Sequence, residues 1–148
     1  MTPHFTLPEL TLSQEATRKG MKNIPSARHI INLGKLCNEI LEPLRESVAA
    51  PISVSSGFRT PEVNEAVGGS RTSDHCDGRA ADITIQGLTP LQVAERIVKL
   101  DLPFKQVINE FDQWCHVSIP LIGESPKRER LTARKDVQGK TFYLRGLV

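Results

Sequence analysis

Two histidines and one aspartate are the side chains of this sequence that best suit a metal ion. His75 and Asp82 lie in one Gly- and Asp-rich stretch, and His116 follows within Trp114–Ser118. Two imidazoles and one carboxylate leave one position open on a tetrahedral zinc ion, as a catalytic site needs and a structural site avoids. Zinc makes hydroxide available from water near neutral pH. The three residues therefore predict a catalytic zinc site.

The three cysteines are Cys37, Cys76 and Cys115, and no Cys-x-x-Cys spacing is present. This count and spacing favour free thiols over a disulfide framework. Cys115 precedes His116 on a predicted strand, where neighbouring side chains point to opposite faces, so the pair should not act as nucleophile and base. Cys76 follows His75 in a predicted loop and remains an alternative metal ligand.

Short segments with alternating or continuous apolar residues, bounded by Pro, Gly or Asp, predict the strands that position these side chains. They are Ile52–Ser56, Ala81–Ile85, Gln106–Phe111, Trp114–Ile119 and a return strand Thr141–Leu144 after a turn around 136–140. His116 thus falls inside a strand, and Asp82 falls at the start of another.

Capping residues predict the helices. A short helix spans about Ser13–Lys19, a long one begins near Ser26, and others begin at Thr60-Pro61 and Thr89-Pro90. We expect Pro43 to kink the long helix or to end its regular part. Helices combined with hairpin-linked strands predict an α+β fold, in which a small, mainly antiparallel sheet packs against helices and carries the zinc site.

Length and composition are those of one globular domain spanning residues 1–148. The chain is 39% hydrophobic and 24% charged, with a net charge of +2. This charge is too small to favour nucleic acid as a partner. No apolar stretch reaches the ~20 residues of a membrane span, and the first residues do not resemble a secretory signal, so we expect synthesis in the cytoplasm and no membrane insertion.

Four segments together resemble one family of zinc peptidases. They are Ser56-Gly57-Phe58-Arg59-Thr60-Pro61, Asn64-x-Ala66-Val67-Gly68-Gly69-Ser70, Ser73-x-His75-x-x-Gly78-x-Ala80-Ala81-Asp82-Ile83 and Glu110-Phe111-x-x-Trp114-x-His116-Val117-Ser118. In this order they resemble the zinc D-alanyl-D-alanine carboxypeptidases, a family that includes phage L-alanyl-D-glutamate endopeptidases. These enzymes cleave the peptides of bacterial peptidoglycan.

The resemblance implies His75, Asp82 and His116 as zinc ligands. It implies that Arg59 faces the site, where a guanidinium suits a substrate carboxylate or a developing oxyanion. It also favours Glu110 as the catalytic base. Many relatives have an acid three residues before the last histidine ligand, where this chain has Gln113, and Asp112 is the alternative base.

The turn between the last two central strands decides whether Glu110 reaches the metal. A two-residue turn at Asp112-Gln113 would pair Glu110 with Cys115, on the face opposite His116. A three-residue turn over Asp112–Trp114 would instead pair Glu110 with His116. The sequence leaves this register open.

The function implied by the resemblance is metal-assisted hydrolysis of a peptidoglycan peptide. We expect a monomeric phage or prophage lysis enzyme that acts in the periplasm or cell wall after its release. A bacterial recycling enzyme would use the same chemistry. The alternative from another class is a non-catalytic zinc-containing module that binds peptidoglycan or belongs to a virion. The sequence does not identify the bond that is cleaved.

Overall fold

The computed structural model describes residues 1–148. Its centre is a six-stranded sheet with the order β1-β2-β4-β3-β5-β6. The strands are β1 Ile52–Ser56, β2 Ala80–Ile85, β3 Gln106–Glu110, β4 Trp114–Ser118, β5 Glu129–Lys135 and β6 Thr141–Arg145. Four of the five ladders are antiparallel, and β3 pairs with β5 in parallel. The prediction of a small, mainly antiparallel sheet is confirmed.

Six α-helices accompany the sheet. They are α1 Leu7–Thr11, α2 Gln14–Lys19, α3 Ala27–Leu36, α4 Glu42–Val48, α5 Pro61–Ala66 and α6 Pro90–Lys99. Five of them begin at a Ser or Thr whose side chain accepts a backbone N–H of the first turn. The sequence analysis missed α1, although Thr6 and Glu9 form a capping box at its start.

The helices α3 and α4 are joined without a break by the π-helical segment Cys37–Leu41. Within it the Glu42 N–H bonds to the Cys37 carbonyl, five residues earlier. Pro43 follows directly, and proline lacks the N–H that a regular helix needs and crowds the preceding turn. The predicted end of the regular helix near Pro43 is thus a wider π turn that lies directly before it.

The hydrophobic core lies between one face of the sheet and the helices. Its 22 buried residues include Ala81 and Ile83 of β2, Cys115 and Val117 of β4, and the inner faces of α3, α4 and α6. Because strand side chains alternate, Asp82 and His116 lie on the other face of the sheet. That face carries the candidate site. None of the helices has the length and apolar character needed to cross a bilayer.

Candidate metal centre

The three predicted ligands form one cluster, in which their donor atoms all lie within 4.8 Å of one another. Asp82 and His116 are direct partners across the β2–β4 ladder. The Asp82 Oδ1 atom is 2.9 Å from His116 Nδ1 and 3.2 Å from His75 Nε2. All three residues are buried. Neither Cys76 nor any other cysteine belongs to this cluster.

His75 lies on a single 3-10 turn, Asp74–Asp77, which begins at Ser73. The Ser73 hydroxyl accepts the His75 backbone N–H at 3.3 Å. The His75 Nδ1 atom is 2.7 Å from the Gly57 carbonyl oxygen, which can only accept, so Nδ1 carries the proton. The other ring nitrogen, Nε2, faces Asp82 at 3.2 Å and is the nitrogen that remains to bind a metal. A backbone carbonyl bound to the second ring nitrogen is the usual way to orient a histidine metal ligand.

Gly57 is required at this anchor because the chain passes very close to the end of α1. A Cβ atom at Gly57 would lie 2.2 Å from the Leu10 carbonyl oxygen, far inside contact distance. The Phe58 N–H donates to that same oxygen at 2.8 Å, and the Arg59 N–H donates to the His75 carbonyl at 3.1 Å. The segment after β1 is thereby fixed to both α1 and the histidine turn.

Asp74 fixes the other side of the histidine turn. Its carboxylate forms an ion pair with Arg79 at 2.8 Å, and both of its oxygens accept from Lys105 Nζ at 2.8 Å. Arg79 also donates to Asp77 and to the Ile119 carbonyl. This partly buried ionic network ties the turn to the ends of the central strands, which limits how far His75 can move.

The electrostatics of the metal-free cluster favour an ionised Asp82. Burial by itself raises the pKa of Asp82, but the hydrogen bonds and charges of His75 and His116 outweigh it and hold that pKa well below its usual range. Burial by itself lowers the pKa of His116, but Asp82 outweighs it and raises that pKa above its usual value. The cluster therefore presents an anionic oxygen between two imidazoles.

These donors fit zinc. Two imidazole nitrogens and one carboxylate oxygen are ordinary zinc ligands, and donors 2.0–2.1 Å from a tetrahedral zinc are about 3.3 Å apart. The two Asp82 contacts, at 2.9 and 3.2 Å, are already close to that separation. Only small shifts are needed to seat an ion, and one coordination position stays free for water or substrate.

Glu110 lies beside the cluster, but in a register that the sequence analysis did not consider. It pairs with Trp114, whereas Ile108 pairs with His116. The turn is Phe111–Gln113, so both predicted registers are wrong. Phe111 and Asp112 adopt positive φ angles of 57° and 55°. Glu110 therefore shares the face of His116 and stands two pairs closer to the turn.

The cluster and Glu110 line one cavity of about 910 Å³, together with Arg59. Burial raises the pKa of Glu110, against the opposing charge of His116. The Arg59 Nε atom is buried and has no hydrogen-bond partner. A proton acceptor and an unpartnered guanidinium nitrogen thus flank the predicted metal position.

The alternative base lies outside this cavity. Asp112 is in the turn, where its carboxylate accepts from Asn109 Nδ2 at 2.8 Å and lies 3.5 Å from Arg134. Its side chain is 64% exposed. Neither Asp112 nor Gln113 is among the residues that line the cavity. The geometry favours Glu110 over Asp112 and Gln113 as the group that could act as the base.

The remaining cysteines pack into the core. Cys115 is fully buried on the face opposite His116, and burial raises its pKa far above the usual range. Cys37 is buried as well, and burial raises its pKa to about 12. Neither thiol can readily form the thiolate that a nucleophile requires.

The cavity residues that the sequence analysis missed include Lys105, Trp114, Lys135 and Tyr143. Trp114 could have been found, because it precedes His116 by two positions on the same strand and must share its face. Lys135 and Tyr143 belong to the last hairpin, whose place in the sheet depends on the parallel β3–β5 pairing. Local sequence patterns do not reveal such a long-range pairing.

Comparison with known proteins supplies the family. No curated protein matches the sequence. The model of the peptidase M15 family matches residues 3–118, which include Arg59, Glu110 and all three residues of the cluster. This match covers well over half of the chain. On this evidence, and with the zinc-compatible cluster in place, the chain belongs to the peptidase M15 family.

Proposed function

We propose that this protein is a zinc-dependent peptidase that hydrolyses an amide bond in the peptide part of bacterial peptidoglycan. The observation that carries the proposal is the shared cavity of the His75–Asp82–His116 cluster and Glu110. Membership of the peptidase M15 family supports the reaction class. The resemblance to peptidoglycan-cleaving enzymes supports the substrate class.

In this proposal His75, Asp82 and His116 hold the metal. A zinc ion bound there would supply Lewis-acid chemistry, namely the activation of water and the polarisation of a carbonyl group. The protein supplies the geometry, since the Gly57 carbonyl and the Asp74 network fix His75, and the β2–β4 ladder fixes the other two residues.

Glu110 moves the proton. Its carboxylate takes a proton from the attacking water as the water oxygen bonds to the scissile carbonyl carbon. It then returns that proton to the amine nitrogen as the C–N bond breaks, which gives one carboxylic acid and one amine. Partial burial, which raises the pKa of Glu110, suits a group that must both accept and release a proton.

Arg59 stabilises the oxygen of the scissile carbonyl or holds a substrate carboxylate. Its buried Nε atom has no partner within the protein, so a substrate oxygen can accept that hydrogen bond without displacing another one. A guanidinium group in a partly enclosed cavity is well suited to a developing negative charge.

We further propose residues 1–148 as one peptidase domain that acts as a monomer. The single cluster of 22 buried core residues, drawn from helices and sheet alike, supports one folding unit. The proposed setting is phage or prophage lysis, with the substrate met in the periplasm or cell wall after release. The resemblance to phage endopeptidases supports it.

The decisive experiment is digestion of purified peptidoglycan by the protein as isolated, after chelation, and after zinc is restored. Released peptides are identified by mass. We expect new peptide ends that disappear with the chelator and return with zinc, and their masses name the bond. A protein that binds one zinc per chain and cleaves no wall type would contradict the proposal.

A second candidate is a non-catalytic zinc-containing module that binds peptidoglycan. The observation in its favour is Gln113, which stands where many relatives carry an acid and lies exposed outside the cavity. The same digestion separates the two candidates. Retention on peptidoglycan without any new peptide ends would favour the binding module.

A further inference from the structure

The last hairpin, β5–β6, forms one wall of the catalytic cavity although it lies beyond the residues matched by the family. The family match ends at residue 118, whereas Leu131, Lys135, Thr141 and Tyr143 all line the cavity. An element that is outside the common family region and next to the common site is well placed to set substrate preference.

The sheet register explains how the hairpin reaches the site. Two rows of paired residues cross the strands on the face of the cluster. One row runs His116–Ile108–Leu131, and the other runs Trp114–Glu110–Ala133–Tyr143. Ile108 of β3 and Leu131 of β5 form an apolar floor beside the cluster. A substrate that lies across this floor meets β5 and β6 at its far end.

Of the two lysines that line the cavity, Lys135 is the one whose ammonium group is not paired with a carboxylate. Its Nζ atom is 3.1 Å from Thr141 Oγ1 and 5.0 Å from the centre of the Phe111 ring, and it forms no ion pair. These contacts orient the ammonium group without neutralising it. Lys105, by contrast, is bound at 2.8 Å by both carboxylate oxygens of Asp74.

We propose that Lys135 is a specificity-determining residue, which binds a carboxylate of the substrate peptide two to three residues from the scissile bond. The Cα atoms of Glu110 and Lys135 are about 8 Å apart, since one strand spacing of about 4.8 Å separates them across the sheet and two residues separate them along it. An extended peptide advances about 3.3 Å per residue, which gives the two to three residues.

This inference rests on the proposed function and names the kind of peptide that the site prefers. Peptides of bacterial walls carry free carboxylates in their side chains and at their ends, and some of these are replaced by carboxamides. A peptide with a carboxylate at the Lys135 distance should be bound better than the matching carboxamide. Because the lysine is exposed, we expect a difference of about fivefold.

The test uses synthetic peptidoglycan stem peptides in which one carboxylate at a time is replaced by a carboxamide. Trp114 is the single tryptophan of the chain and lines the cavity, so its fluorescence reports peptide binding. Kd is measured in zinc-loaded Glu110→Gln protein, which should bind without turnover, and KM and kcat are measured with Glu110 intact.

The variants are Lys135→Ala, Lys135→Arg and, as the matched control, Lys140→Ala. Lys140 is an exposed lysine of the same hairpin that does not line the cavity. We expect Lys135→Ala to weaken binding of one carboxylate peptide about fivefold, with KM rising and kcat little changed, and to leave its carboxamide partner unaffected. Lys135→Arg and Lys140→Ala should behave like the unmodified protein.

Equal weakening of both peptides by Lys135→Ala, or no weakening of either, overturns the inference. Circular dichroism and thermal unfolding verify that the variants are folded. Cleavage without any charge preference defeats this inference alone. Absence of cleavage by the unmodified protein defeats the proposed function instead, while the fluorescence titration still decides whether Lys135 recognises a carboxylate.

Discussion

Glu110 and Trp114 are direct partners across the β3–β4 hairpin. This pairing puts the Glu110 carboxylate on the face of the sheet that carries His116, two pairs nearer the turn. Glu110 and His116 are diagonal neighbours across the two strands, which places them about 7–8 Å apart, a distance that two side chains and a water molecule can span. The relation between Glu110 and His116 is therefore set by backbone pairing rather than by a flexible loop.

Replacing Glu110 by Gln should separate metal binding from catalysis. The variant Glu110→Gln keeps the shape of the side chain and loses the proton acceptor. We expect zinc to remain bound at one per chain and turnover to fall by about 10²–10⁴-fold, the usual contribution of a general base. Zinc content by mass spectrometry and release of peptide ends measure the two effects.

Asp112→Asn is the matched variant, because Asp112 is the other acid of the same hairpin and its carboxylate points away from the cavity. It should retain most of the activity. An inactive Asp112→Asn protein together with an active Glu110→Gln protein would reverse the assignment of the base.

Replacing His116 by Ala should remove zinc and activity together. His116 supplies one of three donors, and two donors alone bind zinc weakly. His4→Ala is the control, since His4 is exposed and bonds to Glu42 far from the cluster in the sequence. Zinc is measured after dialysis against buffer that contains a weak chelator. Retention of stoichiometric zinc by His116→Ala would exclude His116 as a ligand.

Glu110 should also lower the stability of the metal-free protein at neutral pH. Burial raises the pKa of Glu110 in the folded state above that of the unfolded chain. The folded state therefore holds this proton more tightly, and the resulting stabilisation is present at low pH and lost as the pH rises through the folded pKa. Burial of the ionised Glu110 carboxylate lowers the free energy of unfolding, and a neutral Gln side chain avoids this loss.

We accordingly expect metal-free Glu110→Gln to melt at a higher temperature than the unmodified protein at pH 7, with a difference that shrinks toward pH 4. Differential scanning calorimetry across this range measures it. Glu124→Gln, on an exposed loop, provides the control and should change little. A Glu110→Gln protein that is less stable at pH 7 would contradict the burial argument.

Gly57→Ala should damage the anchor of His75. The added Cβ would meet the Leu10 carbonyl oxygen at 2.2 Å, so the backbone that bonds to His75 Nδ1 must shift. We expect a loss of about 1–3 kcal/mol in the free energy of unfolding, together with weaker zinc binding. Chemical denaturation and a competitive zinc titration measure these.

Gly34→Ala is the contrasting change, because Gly34 lies within α3 and a Cβ there meets nothing within 4 Å. Gly34→Ala should raise the free energy of unfolding by about 0.5–1 kcal/mol, since alanine favours a helix more than glycine does. Equal effects of the two substitutions would show that contact with Leu10 is unimportant.

The sequence is informative where chemistry and strand alternation coincide. Residue types make His75, Asp82 and His116 candidate ligands and the family resemblance selects them, and the fold brings them into one cluster. Strand alternation correctly assigns Cys115 to the opposite face. The fold class follows from capping residues and short strands. In each case the signal lies within a few neighbouring residues, where local physical preferences are strongest.

The sequence is uninformative where the backbone does something unusual. Both predicted turn registers are wrong because Phe111 and Asp112 adopt positive φ angles that glycine would have signalled. The parallel β3–β5 pairing joins segments far apart in the chain, so the contribution of Lys135 and Tyr143 to the cavity is not visible in local patterns. Such long-range pairings are decided by global packing.

The order of the strands also decides how easily the strands that carry the metal ligands unfold. Asp82 and His116 lie on β2 and β4, which are neighbours inside the sheet, while β1 and β6 form its edges. Edge strands and chain ends fray at little cost, whereas inner strands separate only in near-global unfolding. Amide hydrogens along the β2–β4 ladder should thus be among the slowest to exchange with deuterium. The spacing between these two ligands should therefore persist for as long as the protein stays folded, even after the metal has been removed.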